Sequence, residues 1–480
     1  MLGGGFLWAA ACATVLVQTV VLLHPPAVAL MQPDSAGYLG FAADRTAGYP
    51  VFLRLVERLP GGLDNLPLLQ CALYGLGAVA LSNAFKRLSG SFVAALLLLA
   101  LLLGNPQITR LSFMVMTEPL FLALLMALLA LCCRLVRAPD APRLAAVSAL
   151  IGGAVLIRPA GYALLAALPV LAWWSASDGV SRKAVAAAAL LPVAIMLGLG
   201  MAAYHAEHGL WRTQSFLGRL LIGKAAAIVP LRGRPRDRQI AALVAAVAAD
   251  RAVIDRAPTL PDRFRLLVPY YDFWRFGPAA EAVAKQIPAA ARNPAALDRA
   301  MARLSWAVIT AAPAAYLGDL ALNYAALWSL PDAMTGSELM HFRAFVAAHE
   351  PLPGLGRYPP WHRARNAVVV WGLRLFMATA FAASLGWSLR LVAGAWWRRR
   401  LPPLARLGFV AALVVQASFG LTAAVEAGLP RYVWAMWPGL AVLFVSVLLV
   451  GGQAWQRAQN RARARFGPPP PGRRYNGATA

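Results

Sequence analysis

The sequence is poor in charged residues and in cysteine, and each shortage excludes a class of protein. Only 14% of the 480 residues are Asp, Glu, Lys or Arg, whereas 60% are hydrophobic. This composition excludes an ordinary soluble globular protein. The four cysteines all lie in apolar segments. None has the spacing of a metal site or a disulfide framework, so we expect them to be small buried hydrophobic residues.

Long apolar segments are abundant. Repeated stretches of about 17–25 residues are long enough to cross a bilayer as helices, and the alternating pattern of a β-barrel is missing. The sequence therefore predicts an all-α polytopic membrane protein. The expected spans lie at about 6–23, 66–85, 92–108, 114–133, 144–157, 160–174, 184–204, 366–393, 404–425 and 432–451.

The first span has a rival interpretation as a signal peptide. Ala27-Val28-Ala29 resembles a cleavage site. However, no Lys or Arg precedes the span, and it is longer than a usual signal core, so a retained helix is favoured. In either case the loop that follows, from His24 to about Asn65, is expected outside the cytoplasm.

Acidic residues are few: 20 Asp and Glu stand against 45 Lys and Arg, a net charge of +25. Nucleic acid is not the expected partner, because no surface of interleaved aromatic and basic residues is apparent. Many basic residues instead occupy short links between spans and the C-terminal tail, as in cytoplasmic flanks of membrane proteins. The expected partner is the lipid bilayer. The same bias places the first loop, Arg158, residues 205–365 and Glu426–Arg431 outside.

The chain divides into four predicted parts. Residues 1–204 form an N-terminal transmembrane module, 205–365 an extracytoplasmic and mostly helical region, and 366–452 a C-terminal transmembrane module. Residues 453–480, which are basic and Pro-rich, are expected to be a disordered cytoplasmic tail. Within the second part, residues 305–328 are expected to be interfacial or re-entrant, or one half of a pair of crossings, because a single crossing would place Arg398–Arg400 outside.

Asp34 and Glu118 are the strongest candidates for chemistry. Asp34 lies in a short turn after the first span, in the stretch MQPDSAGY (31–38), and Glu118 is the acid inside a clear apolar span. A carboxylate costs about 2.5–3.5 kcal/mol at mid-bilayer and less near the interface, so Glu118 is a functional candidate. The ordinary alternatives are a solvated turn residue for Asp34, and pairing of Glu118 with Arg110 or Arg158.

Acids and arginines from distant segments are thus expected at one outer surface. A carboxylate there would take a proton from an acceptor hydroxyl. Either arginines or a carboxylate-bound divalent cation, Mg²⁺ or Mn²⁺, would stabilise a leaving phosphate. Asp34 and Glu118 would be the ligands of any such metal. None of the six histidines has an assignable role; five of them, at positions 205, 208, 341, 349 and 362, lie in the predicted outer region.

Four short motifs, in this order and topological placement, carry a family resemblance. They are PDSAGY (33–38), GYPVFL (48–53), SFMVMTEPLF (112–121) followed by IRPAG (157–161), and EAGLPRY (426–432). Together they make the chain resemble the GT-C superfamily of polyprenyl-phosphate-dependent glycosyltransferases, which includes protein O-mannosyltransferases and aminoarabinose transferases of lipid A.

The resemblance implies a GT-C-like bundle of about 10–12 transmembrane helices with a helical extracytoplasmic domain. It implies inverting transfer of a sugar from a polyprenyl-phosphate donor to an extracytoplasmic lipid, glycan or protein, in the bacterial inner membrane. Asp34 would be the base, Glu118 a supporting or metal-linked acid, and Arg431 a phosphate contact. The further candidates for substrate binding are Tyr38, Asp44, Arg45, Tyr49, Arg158, Glu426 and Tyr432.

The chain departs from the family pattern at two positions. Asp44, the next acid in the first loop, is ten residues from Asp34, and Ala160 stands where the family often has an acid. These departures leave open whether the site binds a metal ion. The alternative function is a transporter or flippase of lipid-linked intermediates, but internal repeats and polar residues at the bilayer midplane are not plain in the sequence.

Overall fold

The computed structural model describes residues 29–32, 34–105, 108, 111–230, 237–256, 259, 276–288, 293–329, 367–396, 401–426, 428 and 430–466. Several sequence predictions lie outside these residues. They concern the span at 6–23, Pro33, Arg110, the loop at 330–365, Arg398–Arg400 and the end of the tail at 467–480.

The regular secondary structure of the described residues is helical, apart from one isolated parallel bridge between Leu30 and Met114. The first helices are α1 (Ser35–Leu39), α2 (Gly48–Glu57), α3 (Leu66–Ser89), α4 (Phe92–Leu103), α5 (Glu118–Arg137), α6 (Ala141–Ile157), α7 (Ala167–Ser177) and α8 (Arg182–His208). The later helices are α9 (Leu217–Ile228), α10 (Arg238–Asp255), α11 (Phe276–Lys285), α12 (Pro294–Ala311), α13 (Pro313–Ser329), α14 (Ala367–Trp396), α15 (Pro403–Val425), α16 (Pro430–Ala435) and α17 (Trp437–Phe466). Short 3₁₀ helices, Gly62–Asn65 and Pro159–Ala166, precede α3 and α7.

Six of the described helical segments are long and apolar enough to cross a membrane, or seven if one bent pair counts as a span. They include α3, α5, α8, α15 and α17. The protein is therefore an all-α polytopic membrane protein. The number is below the predicted 10–12. Helices α4 and α6 are shorter apolar helices, α14, at the predicted span 366–393, is not among the six, and the segment at 6–23 is outside the described residues.

Local sequence signals explain where several helices begin and end. Ser91 and Asp140 cap the N-termini of α4 and α6, where their side chains accept hydrogen bonds from the backbone N–H of Ala94 and Arg143. Gly90 follows α3 with φ 71°, a left-handed conformation that glycine adopts without strain. Capped ends allow tight links between neighbouring apolar helices.

The buried side chains form two main hydrophobic cores. The larger core joins residues of α3–α8 with residues of α13–α17. The second lies among α9–α12 and includes Ile222, Val247, Phe276 and Leu304. Residues from both ends of the chain thus share one core, and the region after α8 has a core of its own.

A sharp bend separates the two cores. Helices α12 and α13 meet at an angle of 104°, where Pro313 lacks the N–H that a continuous helix requires. Val308 and Ile309 pack in the second core, whereas Leu327 and Trp328 pack in the first. The predicted segment 305–328 includes this bend, and a bent pair of this kind is either a broken span or a re-entrant loop.

The predicted tail also begins too early. Helix α17 continues through Gln453 to Phe466, so the prediction of disorder from residue 453 is wrong up to that point. Ala, Arg and Gln fill this extension and are all strong helix formers. Extending an existing helix by such residues is favourable, because each adds a backbone hydrogen bond.

The helix bundle has two ends, and each end collects the first or last residues of several helices. At one end, which we call the site end, α5 begins and α6, α8 and α15 finish. At the other end Arg137 donates a hydrogen bond to the carbonyl oxygen of Arg87 (2.9 Å), and Arg406 forms an ion pair with Asp178. The site end contains the acids and arginines that the sequence singled out.

Candidate functional site

Asp34 lies between two guanidinium groups. Its Oδ1 is 2.8 Å from Nη2 of Arg45, and its Oδ2 is 3.3 Å from Nη1 of Arg431. Arg45 comes from the same loop, but Arg431 comes from α16 and is 397 residues away along the chain. The Asp34 side chain is 15% exposed.

The two arginines determine the charge state of Asp34. Burial raises the pKa of the carboxyl, but the positive charges and hydrogen bonds of Arg431 and Arg45 more than offset this effect. The pKa of Asp34 therefore lies below its usual value. The carboxylate is ionised at neutral pH, and it is a weak base while both arginines contact it.

Asp44 joins this cluster although it is ten residues from Asp34. Its Oδ1 is 3.5 Å from Nε of Arg45, and its Oδ2 is 2.9 Å from Nη1 of Arg219. Arg45 thus bridges the two acids of the first loop. Arg219, at the start of α9, was not a sequence candidate, because nothing in its local sequence distinguishes it from other surface arginines.

Glu426, Arg431 and Tyr432 form the opposite side of the cluster. Nη2 of Arg431 is 3.4 Å from Oε1 of Glu426 and donates a hydrogen bond of 2.8 Å to the hydroxyl of Tyr432. That hydroxyl donates to Glu426. Burial lowers the pKa of Arg431, but the negative charges of Asp34 and Glu426 raise it by more than burial lowers it. The pKa of Arg431 therefore lies above its usual value, and the guanidinium stays charged.

Glu118 and Arg158 form a second, more deeply buried ion pair. Nη1 of Arg158 is 3.1 Å from Oε1 of Glu118, and the side chains are only 9% and 3% exposed. The guanidinium also lies 5.5 Å above the ring of Phe121. Arg158 ends α6 in an extended conformation. This turn is tight because Gly161 packs on α6, where a Cβ would meet the carbonyl carbon of Ala154 at 2.5 Å.

Tyr38 connects the two ion-pair groups. Its ring lies 4.6 Å from the Arg45 guanidinium carbon and packs edge-on against Tyr49 at 5.2 Å. Burial raises the pKa of Tyr38, and the charges of Arg45, Asp34, Glu118 and Arg158 also act on it. The charges of both ion-pair groups thus act on the same neutral phenol.

Hydrogen bonds to the segment before α5 position the first loop. Leu30 pairs with this segment through Leu30 N to Phe113 O (2.8 Å) and Val115 N to Leu30 O (3.0 Å). The Ser35 hydroxyl donates to the carbonyl oxygen of Val115 (2.9 Å) and accepts from the backbone N–H of Gln32 (2.7 Å). These bonds bring Asp34 towards the start of α5, where Glu118 lies.

Gln70 of α3 holds the other side of the same segment. Its amide nitrogen donates to the carbonyl oxygens of Ser112 and Met114, both at 3.0 Å, and its oxygen accepts from the hydroxyl of Tyr49 (3.1 Å). Gln70 is fully buried. Sequence reasoning missed Ser35 and Gln70. For Gln70, the only signal in the sequence is a single polar side chain inside the predicted span at 66–85.

The remainder of the first loop packs against the end of α8. Phe41 has φ 44°, unusual for a residue with a side chain, and its ring contacts Tyr204 and His208. The carbonyl oxygen of Ala43 accepts hydrogen bonds from Tyr204 (2.7 Å) and from the backbone N–H of Ser215 (2.9 Å). This tight turn brings Asp44 and Arg45 back towards Asp34.

The structure thus brings the sequence candidates together in one region. A continuous chain of polar contacts joins Asp34, Asp44, Arg45, Glu426, Arg431 and Tyr432. Glu118 and Arg158 form the separate buried pair, and Tyr38, which lies against Arg45, packs on Tyr49. Among the described residues, no group of three or more His, Cys, Asp or Glu side chains is arranged to hold a metal ion. The carboxylates of Asp34 and Asp44 instead contact guanidinium groups.

Comparison of the chain with protein-family models, with curated proteins and with solved structures finds no match.

Proposed function

We propose that this protein is a GT-C-type membrane glycosyltransferase that moves a sugar from a polyprenyl-phosphate donor to an acceptor outside the cytoplasm, with inversion. The observation that carries the proposal is the Asp34 carboxylate between Arg45 and Arg431, which are 2.8 and 3.3 Å away. A potential base and two potential phosphate ligands thus meet at one end of an apolar helix bundle.

The arginines suit the phosphate of a lipid-linked donor. Guanidinium groups bind phosphate through paired hydrogen bonds, and Arg431 is 36% exposed, so a ligand can reach it. A polyprenyl chain would remain among lipid and apolar helices while its phosphate lies at the site end. Such a donor explains why the cluster sits at the ends of apolar helices.

In the proposed reaction, the acceptor oxygen bonds to the anomeric carbon of the sugar as the bond from that carbon to the phosphate oxygen breaks. Polyprenyl phosphate leaves with the electron pair, and the acceptor hydroxyl gives its proton to Asp34. The arginines stabilise the charge on the leaving phosphate. No step requires a metal ion.

The ion pairs of Asp34 provide a way to couple donor binding to basicity. Arg45 and Arg431 lower the pKa of Asp34. A phosphate that takes over hydrogen bonds from Arg431 withdraws one of these positive charges from the carboxylate, so the pKa of Asp34 rises. Asp34 would then become a stronger base when the donor is bound.

Glu118 has a supporting role in this proposal. It holds Arg158 at 3.1 Å beside the cluster, and its charge acts on both Tyr38 and Arg431. Its burial favours a fixed position over direct proton transfer. We assign it to the orientation of Arg158 and to the electrostatic balance of the site.

We also propose an orientation, with the site end outside the cytoplasm of a bacterial inner membrane. The opposite end includes Lys86, Arg87, Arg137 and Arg143, and the exposed extension of α17 contains further arginines. Basic residues favour the cytoplasmic side. A transporter or flippase is the alternative, but it would need polar residues near the bilayer midplane, whereas this cluster lies at helix ends.

Gene deletion and complementation test the proposal. Cell-envelope glycans of the deletion strain are compared by mass spectrometry with those of strains that express wild type, Asp34→Asn or Glu57→Gln. Glu57 is an exposed acid at the end of α2 and serves as the matched control. We expect one sugar substituent to be lost in the deletion and Asp34→Asn strains and kept in the control. Restoration by Asp34→Asn would remove Asp34 from the role of base.

A further inference from the structure

A buried polar network lies behind the Arg431 side of the site. Lys224 of α9 is fully buried, and its Nζ is 2.7 Å from Oδ2 of Asp319 on α13, whose side chain is 7% exposed. Asn323, one turn further along α13, donates to the same carboxylate (3.1 Å) and to the Asp319 carbonyl oxygen (2.8 Å). Burying these groups is costly unless they contact one another.

The network ends on the loop that leads to Arg431. Oδ1 of Asn323 accepts a hydrogen bond of 2.8 Å from the backbone N–H of Gly428. A Cβ at position 428 would lie 2.5 Å from the carbonyl oxygen of Asn323, so only glycine permits this approach. A second bond from α13, Tyr316 hydroxyl to Ala424 carbonyl oxygen (2.9 Å), ties down the end of α15.

Helix α9 contacts both sides of the site. Arg219 in its first turn binds Asp44 at 2.9 Å, and Lys224, five residues later, starts the network that reaches Gly428. Five residues correspond to about 7.5 Å along a helix. The start of α9 is itself fixed, because Asp298 of α12 accepts a hydrogen bond from the backbone N–H of Gly218 (2.9 Å).

We infer that α9 and α13 form a frame that sets the spacing between Arg45 and Arg431, with Asn323 and Asp319 as positioning residues. The contacts form a closed circuit. It runs from Asp34 through Arg45 and Asp44 to Arg219 at the start of α9. From Lys224 of the same helix it continues through Asp319 and Asn323 to Gly428, and Arg431, three residues after Gly428, contacts Asp34 again. The use of this spacing for a donor phosphate rests on the proposed function, but the frame itself does not.

Hydrogen–deuterium exchange tests the frame independently of activity. In Asn323→Leu the Gly428 amide loses its acceptor, so we expect faster exchange in peptides covering 424–434 and unchanged protection in α5. The control is Gln416→Leu, which removes another side-chain amide from the same core. Gln416 donates to Ser384 at 2.7 Å and accepts a hydrogen bond from the hydroxyl of Tyr324 on α13, and none of the described hydrogen bonds joins it to the loop before Arg431. Equal exchange at 424–434 in wild type and Asn323→Leu would overturn the inference.

Binding of polyprenyl phosphate to the purified protein in nanodiscs tests the purpose of the frame. We expect Asn323→Leu and Arg431→Ala each to weaken binding about tenfold, the loss of roughly one charge-assisted contact. The double variant should bind no more weakly than Arg431→Ala, since Asn323 acts through Arg431. Additive losses would contradict the positioning role. If wild type does not bind polyprenyl phosphate, the proposed function fails, while the exchange result still decides the frame.

Discussion

Replacing Arg158 with Met is expected to destabilise the protein strongly, because it leaves the Glu118 carboxylate buried without its cation. The side chains are 9% and 3% exposed and 3.1 Å apart. Breaking such a pair from one side costs about 3–5 kcal/mol. Glu118 lies in the first turn of α5, where the helix dipole offsets about 1 kcal/mol. The expected loss is therefore about 2–4 kcal/mol.

Unfolding of the purified protein, followed by tryptophan fluorescence, measures this loss. The double variant Glu118→Gln with Arg158→Met removes both charges, so it should recover most of the stability. The control is Arg54→Met, which breaks an exposed pair with Glu207 (48% and 32% exposed) and should cost less than about 1 kcal/mol. Wild-type stability of Arg158→Met, or a double variant no more stable than that single variant, would refute the reasoning.

Three further predictions concern the first loop and its contacts. The pKa of Asp34 lies below its usual 3.8, so its ion pairs stabilise the folded protein at neutral pH and are lost as the pH falls through the lowered pKa. In unfolding curves, the stability advantage of wild type over Asp34→Asn should stay constant from about pH 8 to 5 and shrink below about pH 4; a decline already near pH 6 would contradict this. Arg219→Ala removes a side chain that is 39% exposed, so the free energy of unfolding should change by less than about 1 kcal/mol. Sugar transfer, in contrast, should fall about fivefold, because Asp44 shifts towards Arg45. Unchanged transfer would exclude Arg219 from the site. Ser35→Ala leaves the carbonyl oxygen of Val115 without its 2.9 Å donor and should cost about 1–3 kcal/mol in the same unfolding assay, and wild-type stability would show that Ser35 does not anchor the loop.

The sequence predicted the helical membrane class because long apolar runs depend only on local composition. It also placed Arg158 among the possible partners of Glu118, since charge bias put both at the outer ends of their spans. It did not predict the contact between Asp34 and Asp44 through Arg45. That contact depends on the turn at Phe41, which has φ 44°, and on Ser215 and Tyr204 from beyond the loop.

The residues that sequence reasoning missed act through non-local contacts. Ser35 contacts a carbonyl 80 residues away, and Arg219 contacts an acid 175 residues away. A single Ser or Arg has no periodic signal that could reveal such a partner. The bend before α13 was more accessible, because Pro313 interrupts the apolar segment and proline ends helices. The extension of α17 could have been anticipated from its Ala, Arg and Gln content.

The circuit of contacts changes how the region after α8 is understood. Its predicted position outside the cytoplasm alone suggests a role in selecting the acceptor. Arg219 and Lys224 now give α9 a contact with each side of the arginine cluster. The region would therefore influence donor binding as well, and variants in α13 should affect the same step as Arg431.

Release of free polyprenyl phosphate tests the central claim most directly, because the leaving group is independent of which sugar or acceptor is used. Purified wild type, Asp34→Asn and Glu57→Gln are reconstituted in vesicles with polyprenyl-phosphate sugars and an envelope extract from the source organism, and free polyprenyl phosphate is measured by mass spectrometry. The account predicts acceptor-dependent release by wild type and Glu57→Gln and none above background by Asp34→Asn. Equal release by Asp34→Asn and wild type would contradict it.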